Sequence, residues 1–398
     1  VAECTRHATS PCPVGKPFSS FESTASLGYS LSERRAQEKL KSIMPQNTNT
    51  NSLNEELDAI EYYFEQGVTD GLPVVPPTEK RMGQMLAATS KATDEAVALV
   101  PPNFGEATVE KIAVNAIMAG CKPEFLPVVI GGVQAMCDER VNLHGVQGTT
   151  HTATPLFVVN GPIRQQLDIN CAAGVFGSGW RANATIGRAL RLLMINIGGA
   201  HPGEIDKSTM GHPGKYTYCI GEYEEENPWE PLHVEQGYDQ EQSTISVYCC
   251  DAPQCVSNHG SRTAHGILDT VGASMTVGWS DKTYLAGNYI VVLGPEHAKS
   301  IASDGMSKQD VKRYLYENVR RPLHELLPGP DGSEGIKRES LPGWLNAADD
   351  FTLIPKVTSP DKIVIVVAGG TAGRFSVHMC GWGGGAGQSE LVTVPIEA

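Results

Sequence analysis

Three hundred and ninety-eight residues, 40% of them hydrophobic and 19% charged, suffice for one large domain or two ordinary ones and exclude a disordered chain. Thirty-one basic against 45 acidic residues give a net charge of −14, which excludes broad attraction for nucleic acid or anionic lipid. No run approaches the ~20 apolar residues of a membrane span, so a membrane partner is excluded as well.

The first 52 residues are rich in Ser, Thr and Asn, and "SERRAQEKLKS" (32–42) is their one helical piece. We read residues 1–52 as an irregular N-terminal arm that clasps a partner subunit, which predicts a homo-oligomer. From Leu53 the pattern becomes regular. Leu53, Leu57, Ile60 and Phe64 share one helix face ending at Gly67. Thr78 before Glu79 is a good helix start, and helices are expected over 108–120 and 123–136. "PLFVVNGPIRQQL" (155–167) and "NYIVVLGPEHAKS" (288–300) then echo each other: an apolar run, Gly-Pro, and a helix start. Each echo is followed by a second helix, from Gly179 and from Gly305, and preceded by a matching one over 126–136 and 263–275. Short apolar runs between helices imply strands buried on both faces. A further strand over 362–370 enters a Gly-rich C-terminal segment. The expectation is an α/β fold of two related halves, 53–240 and 241–398, as from an internal duplication, with polar groups gathered in the cleft between them.

Most residues that could carry chemistry fall between 142 and 259. His144 and His151 stand seven apart in a Gly- and Thr-rich segment that favours a loop, where imidazoles can converge on a proton or a metal. Two hydrogen-bonded structural histidines are the plainer reading. In "RANATIGRALR", Arg181, Thr185 and Arg188 share a helix face and Asn183 sits near the helix start, a pattern suited to holding an anion. Pairing with the surplus acids is the alternative. "GHPGKYTYC" offers His212, Lys215 and Tyr216, with the lysine next to the phenol. "VYCCDAPQCVSNHG" offers Cys250 as nucleophile or soft ligand with His259 as its base, and Cys249 and Cys255 beside them. Small buried thiols at a strand end would look the same. Ten cysteines, two of them adjacent, read as reduced thiols of a cytoplasmic protein. Gly369, Gly370, Gly373 and Arg374 could wrap a phosphate, with His378 and Cys380 as part of a lid, although no nucleotide-binding fingerprint is present.

"TDGLPVVPPT" (69–78), "NLHGVQGTTH" (142–151), "RANATIGRALR" (181–191), "GHPGKYTYC" (211–219), "WEPLHVE" (229–235) and "GPEHA" (294–298) together resemble long bacterial proteins grouped with the UGSC family. The resemblance runs from about residue 54 to the end. That family is named for a (seleno)cysteine-Gly-Ser-Cys motif, and no Cys-Gly-Ser-Cys occurs here, so its redox chemistry and site residues are not carried over. The functional expectation is an enzyme acting on a small anionic organic molecule by acid–base or metal-assisted lyase or hydrolase chemistry. Arg181, Asn183, Arg188 and Lys215 would hold the anion. His144, His151 and His212 would move protons or bind a divalent metal, the one cofactor left open. Two rivals stand beside it: a thiol redox protein using Cys249, Cys250 and Cys255, and a non-catalytic ligand-binding or assembly protein.

Overall fold

Apolar strands buried on both faces order this chain into layers. The computed structural model describes residues 59–277, 287–333, 335–341, 343–346, 348–383 and 387–397. The arm expected over 1–52 lies outside the described residues. Helical turns at 59–65 end at Gly67, which takes φ +68°. Helix α1 (Glu79–Leu86) starts where expected, with the Thr78 hydroxyl accepting from the Arg81 amide. A hairpin of β1 (Ala96–Val100) and β2 (Gly105–Thr108) leads into α2 (Val109–Ala119), capped by Thr108 and stopped by Gly120 at φ +94°.

The first half continues with α3 (Leu126–Met136), α4 (Leu143–Gly148), β3 (Thr154–Asn160), α5 (Ile163–Gln166), α6 (Arg181–Asn196), β4 (Cys219–Gly221), α7 (Leu232–Glu235) and β5 (Thr244–Cys250). The second holds β6 (Gln254–Ser257), α8 (Ala264–Val277), β7 (Tyr289–Leu293), α9 (Pro295–Ser303) and α10 (Lys308–Asn318). A small hairpin of β8 (Arg320–Pro322) and β9 (Leu353–Pro355) follows, then β10 (Ile363–Val367), β11 (Phe375–Cys380) and β12 (Val392–Pro395). Two four-stranded sheets result, ordered β12-β5-β3-β4 and β6-β11-β7-β10. In each, the second-last strand runs parallel to the last and antiparallel to the next inward, and the edge strand is antiparallel again. The α/β fold of two related halves is therefore present, with both echoed segments forming corresponding strand–helix units.

The halves do not part at residue 240. Strand β5 belongs to the first sheet, and the edge strands are exchanged: β6, directly after β5, joins the second sheet, while β12, after β11, returns to the first. The exchange ties the sheets together at a crossing, where the Asp251 amide donates to Cys380 O (3.0 Å) and the Trp382 amide to Cys249 O (3.0 Å).

Alternation along the strands builds four layers. Phe157, Val159, Ile245 and Val247 pack outward under α2, α3 and α6. Leu156, Val158, Tyr248 and Cys250 face inward onto Ile290, Val292, Val364, Val366 and Met379 of the second sheet. Tyr289, Val291, Ile363 and Ile365 turn outward under α8, α9 and α10. Burying each such side chain is worth roughly 1.5–3 kcal/mol. The sheets meet through apolar side chains, and at the edge of that layer a cleft of about 180 Å³ is lined by polar groups of both halves, among them Glu235, Asn288, Lys312 and Asp361. Further polar groups stand at the strand ends.

Candidate active site

The site assembles where three segments meet at the start of β3: the loop 149–153, the loop 200–218 between α6 and β4, and Asp251 just after β5. Register brings the last two elements together, since Thr154 pairs with Cys250 and Phe157 with Cys219. The amide of Thr209 donates to Thr150 O (2.9 Å) and stitches the two loops.

His212 caps a single 3₁₀ turn (Pro213–Lys215), its Nδ1 accepting from the Gly214 amide at 3.1 Å. That bond places the proton of the neutral ring on Nε2, which is buried and has no partner within the protein. The ring meets Tyr218 edge-on at 5.6 Å. Burial pulls the His212 pKa below its ordinary value and Lys215 and His151 act the same way, whereas Asp251 opposes them. At neutral pH, His212 is thus a neutral Nε2–H donor.

Behind it stands His151, with Nδ1 3.5 Å from Asp251 Oδ1 and 3.2 Å from the Ala153 amide. The Thr152 hydroxyl donates to the same Asp251 oxygen (2.6 Å), and the Tyr218 hydroxyl donates to the Asp251 carbonyl (3.0 Å). Burial pushes the Tyr218 pKa well above its usual value, so this phenol stays protonated and serves as a strut.

In front of His212 opens a cleft of about 530 Å³ with Arg191, Asp206, Ser208, His212, Lys215 and Tyr216 in its wall. Asp206 takes Lys215 Nζ at 2.9 and 3.0 Å and Arg191 Nη2 at 2.8 Å. Burial raises the Asp206 pKa, but the Lys215 and Arg191 cations outweigh it and hold the carboxyl below its ordinary range. Burial likewise pulls Lys215 below the usual lysine value, with Asp206 acting against it. Asp70, paired with Arg188, lines the cleft as well, so Arg191 and Lys215 stand there with two carboxylates.

Other expected residues lie elsewhere. His144 does not converge with His151. It sits on α4, a helix where a loop was expected, and stacks on Phe104 at 5.9 Å. Gly145 lets that helix pass under Trp382, since a Cβ there would stand 2.4 Å from the indole. Arg188 is withdrawn from anion binding by a bidentate pair with Asp70 (2.7 and 2.8 Å) and by the Leu72 and Pro73 carbonyls. Asn183 is a structural clamp, accepting from the Asn170 amide and donating to Asn170 O and Cys219 O. Arg181 donates to Gly120 O (3.0 Å) at the far end of α6.

Tyr216 is half exposed at the cleft rim, and the Lys215 ammonium beside it is engaged by Asp206. Cys250 is fully buried and its pKa is pushed well above that of a free thiol, so it supplies no thiolate at neutral pH. His259 is not its base: it packs edge-on against Phe375 (4.9 Å) on the exposed side of β11. Cys249 points to the opposite face of β5 from Cys250, with its thiol pushed up to about 12, and Cys255 is exposed on β6. The three thiols therefore form no cluster. Sequence reasoning missed Arg191, Asp206 and Asp251. Arg191 was one helical turn past Arg188, and Asp251 followed the twin cysteines directly.

Among the described residues, no group of three or more His, Cys, Asp and Glu side chains is placed to hold a metal ion. No helix among them is long and apolar enough to cross a membrane. No family model matches the chain, and no curated protein sequence matches it.

Proposed function

We propose that the protein is an enzyme acting on a small organic anion by acid–base chemistry of the lyase or hydrolase type. The observation that carries this reading is that Lys215, Arg191 and His212 share one cleft wall, with the His151–Asp251 pair directly behind. Lys215 and Arg191 attract and orient a carboxylate. The His212 ring lines the cleft, and on substrate binding it turns its buried, unpartnered Nε2–H to the oxygen on which negative charge grows. Asp251 provides negative charge behind the His212 ring, and His151, whose Nδ1 accepts from the Ala153 amide, stands beside that carboxylate as a positioning residue.

The test is turnover of a panel of small mono- and dicarboxylates and their esters. A positively acting compound is expected to lose at least about 10²-fold in rate with His212→Ala or Asp251→Asn, the usual size of a general acid–base contribution. Its KM is expected to rise in Lys215→Ala. Equal turnover by wild type and both catalytic variants, with folding intact, would remove the reading.

A further inference from the structure

A second pocket lies at the opposite end of α6. It measures about 310 Å³, and its floor is apolar: Val75, Met85, Ile117 and Cys121. Its walls carry Arg81, Lys122 and Arg181, and no acidic residue lines it. Among the described residues no carboxylate lies within ion-pair distance of these three cations. In a chain with 45 acidic residues, three exposed cations around one pocket that no carboxylate lines offer a place for an anion.

Their hydrogen-bonding capacity is largely unused. Arg81 donates to Pro76 O (2.9 Å) and Arg181 to Gly120 O (3.0 Å), one of the five donors each guanidinium owns. These two bonds fix the forks at the pocket wall. The Lys122 ammonium lies over the Phe125 ring, 5.9 Å from its centroid. Helix α6 begins at this pocket with Arg181, and its N-cap Trp180 offers no side-chain acceptor to the first-turn amides. Ten residues separate Arg181 from Arg191, about 15 Å along a helix, so this pocket is distinct from the cleft described above.

We propose that this pocket is a binding site for a small organic phosphate. Two forks and an ammonium match a dianionic tetrahedral group better than a single carboxylate, and the apolar floor receives the organic part. The volume sits at the small end of the ~300–1,000 Å³ range of ligand pockets, which favours a compact monoester.

Pyrophosphate is the probe, titrated calorimetrically at low ionic strength into the full chain carrying Lys215→Ala, which disables the other cleft. One equivalent is expected to bind. Adding Arg181→Ala or Arg81→Ala is expected to weaken it at least tenfold, Arg181→Lys less so, with unchanged circular dichroism and melting temperature. In the wild-type background Arg181→Ala is expected to produce the same fold-loss, which covers the case that the lysine variant folds poorly. Absence of binding up to 10 mM in both backgrounds, or binding indifferent to Arg181 and Arg81, overturns the proposal.

Discussion

Replacing Asp206 by Asn tests the electrostatics of the cleft most directly. The carboxylate is 6% exposed and holds two cations, Arg191 with a 5% exposed side chain and Lys215 with 12%. Asparagine keeps the shape and one acceptor, including that for the Ser208 amide, which Asp206 Oδ1 receives at 3.1 Å. What disappears is the negative charge. Removing one member of a buried ion pair costs about 3–5 kcal/mol, because the partner is left uncompensated. Since the cleft admits water to Lys215, the lower end applies, about 3 kcal/mol. The assay is urea unfolding of wild type and variant at fixed m-value. The folded Asp206 pKa is depressed, so its contribution is present above the unfolded carboxyl value of about 3.9 and is lost as pH falls through the folded value. The gap between the proteins should accordingly be full at pH 7 and narrow below about pH 4. Added phosphate or acetate should stabilise the variant more than the wild type, by pairing with the freed cations. A variant within 0.5 kcal/mol of wild type at pH 7 would refute this account of the cleft, as would a gap that stays constant into acid.

Three further outcomes are expected elsewhere in the molecule. Burial, with Lys356 as a neighbouring cation, lowers His378 to about 4, so its stabilising effect is present above pH 6.5 and is lost as pH falls from 6.5 towards 4. At 1.36 kcal/mol per unit this is at most about 3 kcal/mol, and His378→Gln should flatten the stability–pH curve in that window; an unchanged slope would contradict it. Gly145→Ala drives a Cβ into Trp382 and should cost about 1–3 kcal/mol in chemical denaturation, with much of the loss recovered by Trp382→Leu. If the single variant melts like wild type, α4 does not pack as described. Brief alkylation followed by peptide mapping should label exposed Cys255 well before Cys249, Cys250, Cys121 or Cys219, all of them buried. Early labelling of Cys250 would revive the thiol rival.

Much of the fold was legible because local rules and burial agree. Thr78, Thr108 and Gly120 act as the caps their chemistry implies, and the two Gly-Pro echoes end corresponding central strands. The exchange of edge strands was not legible, since β6 and β12 are only four residues each, and nothing local tells a short edge strand which sheet to join. For the site, the outcome followed the number of partners available to each residue. His212 and Lys215 lie on one loop, so proximity in sequence carried over to space. Arg188 failed as an anion holder because Asp70, 118 residues away, reaches it first. Cys250 failed because strand alternation turns it into the layer between the sheets, where desolvation suppresses the thiolate. His144 failed because the Asn142 side chain caps a short helix there, accepting from the Gly145 amide, in a stretch whose glycines and threonines argued against one.

The strand exchange also explains why Asp251 is where it is. Residues 251–253 are all that separates β5 from β6, so the chain has three residues in which to pass from one sheet to the other. At that point Cys250 bridges to Gly381, the Asp251 amide donates to Cys380 O, and the Tyr218 hydroxyl donates to Asp251 O. The backbone carrying this carboxylate is therefore fixed by both sheets at once, and only its side chain remains to meet Thr152 and His151. A site needs its groups held within about 0.5 Å, and strand ends hold them better than free loops do. His151 and His212 are on loops, yet each ring is tied by its own loop amide two residues on, at Ala153 and Gly214. The rigid partner is the carboxylate at the crossing, and the imidazoles are positioned against it.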